Sequence, residues 1–173
     1  FTYAGAPGAY NLALGGGAGI YWQNEAGFSI STSYLSTDAN SSDPNSGGLL
    51  TDGAGASATT QIAYAPEGWG VAAAHTSASG AEDGGALYPG NGTNAAVQLS
   101  TAGNSHSYGL SAWWMPEESG WIPSVSVGWG LTNIPDSEAS HPVRGDIESG
   151  TSQSWYVGLE WADAFVPGNS LGM

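Results

Sequence analysis

The sequence predicts an all-β fold, a segment of an antiparallel transmembrane β-barrel with about seven strands. Three observations carry that expectation: large apolar residues alternate with small uncharged polar ones, short and long connections take turns, and acidic residues, Glu160 apart, stay out of the strands. The alternation is clearest in Phe28-Ser29-Ile30-Ser31-Thr32-Ser33-Tyr34 and in Trp121-Ile122-Pro123-Ser124-Val125-Ser126-Val127-Gly128-Trp129. It returns in His106-Ser107-Tyr108-Gly109-Leu110-Ser111 and in Trp155-Tyr156-Val157-Gly158-Leu159-Glu160-Trp161. A half-buried soluble strand normally sets charged residues on its wet face. Here the alternate positions hold Ser, Thr, Gly or Gln, which suits a wall with one oily side and one wet, mostly uncharged side.

Taken in order, the strands fall at about 17–23, 28–35, 58–65, 69–76, 105–115, 121–131 and 152–162. Asn24-Glu25-Ala26-Gly27, Pro66-Glu67-Gly68 and Pro116-Glu117-Glu118-Ser119-Gly120 read as tight hairpin turns, with Pro and Gly where turn geometry needs them. The other connections, about 36–57, 77–104 and 132–151, are long and rich in Asn, Asp, Ser and Gly. Compact soluble domains seldom carry long structureless loops. Barrels of the outer-membrane type have short turns at one rim and long loops at the other. The chain opens on Phe1 and closes on Met173, and 1–173 is read as an incomplete part of one barrel domain.

Charge follows the same division. Asp38, Asp43, Asp52, Glu82, Asp83, Asp136, Glu138, Asp146 and Glu148 fall in the long connections, and Glu25, Glu67, Glu117, Glu118 and Asp163 fall in or beside short turns. Only Glu160 lies inside an expected strand, at the parity of the wet face. Trp22, Trp69, Trp114, Trp121 and Trp161 lie close to the short connections, the headgroup level that Trp and Tyr favour. One Lys+Arg against 15 Asp+Glu gives a formal net charge of -14, which repels nucleic acid. With no Cys there is neither a disulfide framework nor thiolate chemistry. No apolar run reaches the roughly 20 residues of a spanning helix, a length that a β-barrel does not need.

No catalytic site emerges. Glu82-Asp83 and Glu117-Glu118 are adjacent carboxylates that point apart in an extended chain, which argues against a glycosidase pair. No Gly-x-Ser-x-Gly elbow stands between a strand and a helix, and Gly15-Gly16-Gly17-Ala18-Gly19 opens no helix that would cradle a phosphate. No cofactor is expected. Asp38, Asn40 and Asp43, with Asn45 and Asp52, form an oxygen-rich stretch that is a weak Ca²⁺ candidate lacking the EF-hand spacing. His75 and His106 fall at the loop ends of neighbouring strands; a zinc pair is conceivable, but the spacing favours a structural or exposed role. The lone Arg144 among Asp136, Glu138, Asp146 and Glu148 reads equally as a loop clamp or an exposed residue. Asn91-Gly92-Thr93 fits an acceptor sequon and marks at most a surface loop.

Gly150-Thr151-Ser152-Gln153-Ser154-Trp155-Tyr156-Val157-Gly158-Leu159-Glu160-Trp161-Ala162-Asp163-Ala164-Phe165, followed by Gly168-Asn169-Ser170-Leu171-Gly172-Met173, resembles the cyanobacterial outer-membrane porins, relatives of the carbohydrate-selective porin (OprB) family. Ser31-Thr32-Ser33-Tyr34-Leu35 with Asp38-Ala39-Asn40 and Gly47-Gly48-Leu49, Gln61-Ile62-Ala63-Tyr64-Ala65-Pro66, and Ser107-Tyr108-Gly109-Leu110 look similar to parts of that family. The resemblance implies a barrel whose wall-binding N-terminal domain and closing strands are not in this chain. It also implies a homotrimer in a bacterial outer membrane, against lipid and lipopolysaccharide.

The expected function is passive diffusion of small hydrophilic solutes and inorganic ions, by a non-enzymatic channel. Strand parity places Ser29, Ser31, Ser33, Thr59, Gln61, Ser107, Ser111, Ser124, Ser126, Tyr156 and Glu160 on the lumen side. Two rivals share the composition: a soluble acidic β-sandwich that binds glycans through exposed Trp, and a surface receptor or adhesin acting through its long loops.

Overall fold

The computed structural model describes residues 16–36, 39–51, 53–79, 103–117, 121–137, 139–141, 145–166 and 168–173. Their regular structure is entirely extended: β1 (Gly16–Gln23), β2 (Phe28–Ser36), β3 (Ala56–Tyr64), β4 (Trp69–Ser79), β5 (Gly103–Trp114), β6 (Ser124–Ser137), β7 (Ala139–His141), β8 (Gly145–Ile147), β9 (Gly150–Ala162) and β10 (Ser170–Gly172). Eight strands make one sheet in the order β1-β2-β3-β4-β5-β6-β9-β10, and β7 and β8 pair separately. Every ladder is antiparallel. Apart from the β7–β8 excursion, each strand lies beside its neighbour in sequence. Among the described residues β1 and β10 are free edges, so the sheet is open.

Three expectations need correction. The sheet has eight strands, because β10 adds a short edge ladder of Ser170, Leu171 and Gly172 against Ala162, Trp161 and Glu160. The strand expected from residue 121 begins at Ser124. Pro123 has no N–H for a ladder, and the preceding Trp121 stands 92% exposed. The stretch 132–151 is not a plain loop: β6 continues to Ser137, and the β7–β8 hairpin follows. The connection between β4 and β5, with Glu82, Asp83 and Asn91 to Thr93, lies outside the described residues, as does Arg144.

Turn chemistry fixes the register. In the β1–β2 turn, Asn24 N–H donates to Phe28 O at 2.9 Å, and the Asn24 carboxamide oxygen accepts from Phe28 N at 2.9 Å. Gly27 there has φ +87°, and a Cβ would run into the Ala65 carbonyl; Gly27 O accepts from Ala65 N at 2.8 Å. Only Gly meets both demands at low cost. In the β9–β10 turn, Asp163 (φ 54°) accepts from Gly168 N at 2.7 Å through its carboxylate, while Met173 N–H and Leu159 N–H each donate to the other's carbonyl at 2.9 Å.

Substantial contacts between elements join hydrogen-bonded neighbours. Among the described residues no second layer packs broadly on either face. Most buried residues of the sheet are small and lie at one parity: Ser57, Thr59 and Ala63, then Ala72, Ala74, Thr76 and Ala78, then Ser105 and Ser107, then Thr132, with the larger Ile134 beside it; Ser36, at the end of β2, is buried at the other parity. Short side chains sit in the furrows between strands, close to the backbone, while the large apolar side chains stand on the other face.

Candidate functional site: a two-faced wall

Register rather than parity within single strands defines the faces. Gly19, Ser33, Thr59, Thr76, Ser107, Thr132 and Ser152 are successive partners across β1 to β9, so they form one row across the sheet. After the first glycine, every member carries a hydroxyl. Thr59 and Thr76 hydroxyls lie 2.9 Å apart, as do those of Ser107 and Thr132. These are cross-strand bonds between buried groups, which would otherwise be costly to desolvate. Ser105, one row away, has a buried hydroxyl with no partner.

All eleven residues expected on the lumen side share this face. Ser29, Ser31 and Ser33 pair with Ala63, Gln61 and Thr59. Thr76, the partner of Thr59, pairs with Ser107, and Ser111 is matched to Gly128 and through it to Tyr156. Ser124 pairs with Glu160, while Ser126 lies between Trp113 and Gly158. Their accessibility is uneven: Thr59 and Ser107 are buried, Glu160 is exposed, and the others are half-buried. Glu160 is the one carboxylate in these rows among the described residues.

Two aromatic side chains on this face rest on glycines, which alternation alone did not reveal. A Cβ on Gly128 would strike the Tyr156 ring, and a Cβ on Gly70 would come within 2.5 Å of the Trp113 indole nitrogen. Each glycine is the direct ladder partner of the ring that covers it. Missing side chains thus make the seats for the rings.

The opposite face has the reverse chemistry. Trp22, Ile30, Ile62, Ala73, Leu110, Trp129 and Trp155 form a wholly apolar row. Phe28, Tyr64, Val71, Ala112, Val127 and Val157 make the next, and Trp69, Trp114, Val125 and Leu159 the third. Most stand in the open: Trp155 is 78% exposed, Leu110 52% and Ile30 40%. From Trp69 to Ala73 these three rows cover about 13 Å of strand, roughly half the ~25 Å apolar band of a spanning barrel.

Aromatics gather at the short-turn edge of this band. Trp22 meets Phe28 edge-on at 6.2 Å, and Tyr64 meets Trp69 at 5.6 Å. Trp161 Nε1 donates to the Trp121 carbonyl at 3.2 Å. Toward the long connections the rows turn increasingly polar: Thr32, Thr60, His75 and Gln153 stand beside Ile20, Tyr108 and Leu131, then Ser77, His106, Asn133 and Thr151 beside Tyr34 and Ala58.

The oxygen-rich stretch after β2 is a folded turn. Asp43 carboxylate accepts from Asn45 N at 3.0 Å and from Asn45 Nδ2 at 3.3 Å, and Ser36 Oγ donates to Gly48 O at 2.8 Å. Asp38 and Asp52, the other acidic members of the Ca²⁺ candidate, lie outside the described residues. Among the described residues no three His, Cys, Asp or Glu side chains converge as metal ligands.

Fold and faces together define the class: an all-β chain forming one open eight-stranded antiparallel sheet with one apolar exposed face and one face mainly of small hydroxyl, glycine and alanine residues, on which Gln61, Trp113, Tyr156 and Glu160 also stand. Compared with known proteins, the chain matches no family model and no curated sequence.

Proposed function

We propose that this chain forms part of the wall of a β-barrel porin in a bacterial outer membrane, through which small hydrophilic solutes and inorganic ions diffuse passively. The supporting observation is the exposed face: three consecutive rows across the sheet carry Trp, Ile, Leu, Val, Phe, Tyr and Ala and no charge. Covering one large apolar side chain yields about 1.5–3 kcal/mol. Water leaves that gain unclaimed at every exposed position, whereas lipid tails supply it along the whole band. The aromatic pairs at the short-turn edge suit the headgroup level.

In this reading the face of Ser29, Ser31, Ser33, Gln61, Ser111, Ser124, Ser126 and Tyr156 meets the aqueous lumen. Passage depends on geometry and fields, without a chemical step. Hydroxyls and amides exchange hydrogen bonds with hydrated solutes, and Glu160 with the acidic turns and loops enriches cations near the rims. Ladder edges at β1 and β10 call for further strands, because unpaired backbone groups are not tolerated in lipid. A homotrimer beside lipid and lipopolysaccharide is the assembly that goes with this reading.

Planar-bilayer recording on the detergent-purified protein tests it: stepwise conductance is expected. A protein that stays monodisperse in plain buffer and gives no steps overturns the reading in favour of a soluble β-sheet module.

A further inference from the structure

One pair of residues is unused by the channel reading. His75 faces Tyr108 directly across the β4–β5 ladder, and His106 faces Ser77, so the two imidazoles are diagonal neighbours on the outward face. Their ring centroids lie 5.7 Å apart with planes only 9° from parallel. Tyr108 packs on His75 at 4.9 Å, which restricts where that ring can turn. Neither imidazole has a hydrogen-bond partner among the described residues, and both are half-buried. Four ring nitrogens therefore stand together, uncommitted, where the apolar band gives way to polar rows.

We propose that His75 and His106 form a two-imidazole site for a borderline divalent transition-metal ion, clamping β4 to β5. Metal–nitrogen bonds of about 2.0–2.1 Å set the two ligating nitrogens roughly 3–3.5 Å apart. Rings whose centroids are 5.7 Å apart reach that span by turning about χ2, a soft torsion for His. Water completes the coordination, because no carboxylate or thiolate joins the pair among the described residues. That donor set decides the metal class. Neutral imidazoles suit Cu²⁺, Ni²⁺ and Zn²⁺ and give little to Ca²⁺ or Mg²⁺, and the Irving–Williams order puts Cu²⁺ first. A formal net charge of -14 raises the local concentration of any cation, but only the imidazoles distinguish the transition metals.

The test is a titration of chelator-treated, detergent-purified protein with Cu²⁺ alone, read by calorimetry and by the paramagnetic resonance of the bound ion. We expect one equivalent bound with a two-nitrogen signature, at least about tenfold weaker binding in H75Q and in H106Q, and no change in H141Q. Cu²⁺ should raise the melting temperature of the wild type but not of the H75Q/H106Q double variant, since an ion that binds only the folded sheet stabilises it by mass action. Wild-type tryptophan emission in the variants shows that the sheet is intact. Unchanged affinity in the folded double variant, or a signal from oxygen ligands alone, overturns the site. Because these readouts do not involve a membrane, the site can fail while the porin reading stands, and the reverse.

Discussion

Ile30 and Ser31 are neighbours in sequence, yet they belong to opposite worlds. Ile30 stands in a row of large apolar side chains and is 40% exposed, while Ser31 stands among Tyr21, Gln61 and Ala74 on the face where the buried residues are small. In a water-soluble sheet the large apolar face would be the covered one. The inversion runs across seven strands, from Trp22 to Trp155, so it is a property of the sheet rather than of one exposed residue. It is the observation on which the proposed contact of the outward face with lipid rests.

The sharpest way to break this contrast is a charge on either side of one peptide bond. In lipid vesicles, Ile30→Lys is expected to lower unfolding free energy by about 2–4 kcal/mol in urea titrations, the depth-dependent cost of a cation in the hydrocarbon. Ser31→Lys, facing the wet side, should cost under about 1 kcal/mol. Equal effects at the two positions would remove the distinction between the faces.

A smaller effect probes the seat of Tyr156. Gly128→Ala puts a methyl where the ring lies, and the displaced ring should cost about 1–3 kcal/mol. In the Tyr156→Ala background the same change should cost much less, a coupling that a double-mutant cycle reads directly. Thr76→Val removes the hydroxyl paired with Thr59 and is expected to cost about 1–1.5 kcal/mol in equilibrium unfolding. Least of all, Trp161→Phe deletes the indole donor to the Trp121 carbonyl near the exposed turn and should shift stability by about 0.5–1 kcal/mol.

Much of this was legible in the chain because the side-chain period of a strand is 2. Ser29-Ile30-Ser31 gave the parity of β2, and Glu160 between Leu159 and Trp161 gave that of β9. What alternation does not carry is which residue faces which across a ladder. The seating of Tyr156 on Gly128 and the meeting of His75 with His106 depend on register, which turn geometry and neighbouring strands set together. Ser170–Gly172 is too short to show a period, and 139–141 and 145–147 read as loop although their backbones pair as an antiparallel ladder. Trp121-Ile122-Pro123 misled in the other direction. Its apolar residues extend the pattern of β6, but a proline without an N–H ends the ladder at Ser124.

The chain has no cysteine, so single cysteines can be introduced and labelled with an environment-sensitive fluorophore without background. The decisive measurement is quenching of such labels by brominated lipids in reconstituted vesicles, residue by residue from Phe28 to Tyr34 and from Tyr108 to Trp114. Lipid contact on the outward face requires strong quenching at Ile30, Leu110 and Ala112 and little at Ser29, Ser31, Gly109 and Ser111, with a period of two residues. Quenching without that alternation, or strongest at the serines, would contradict it.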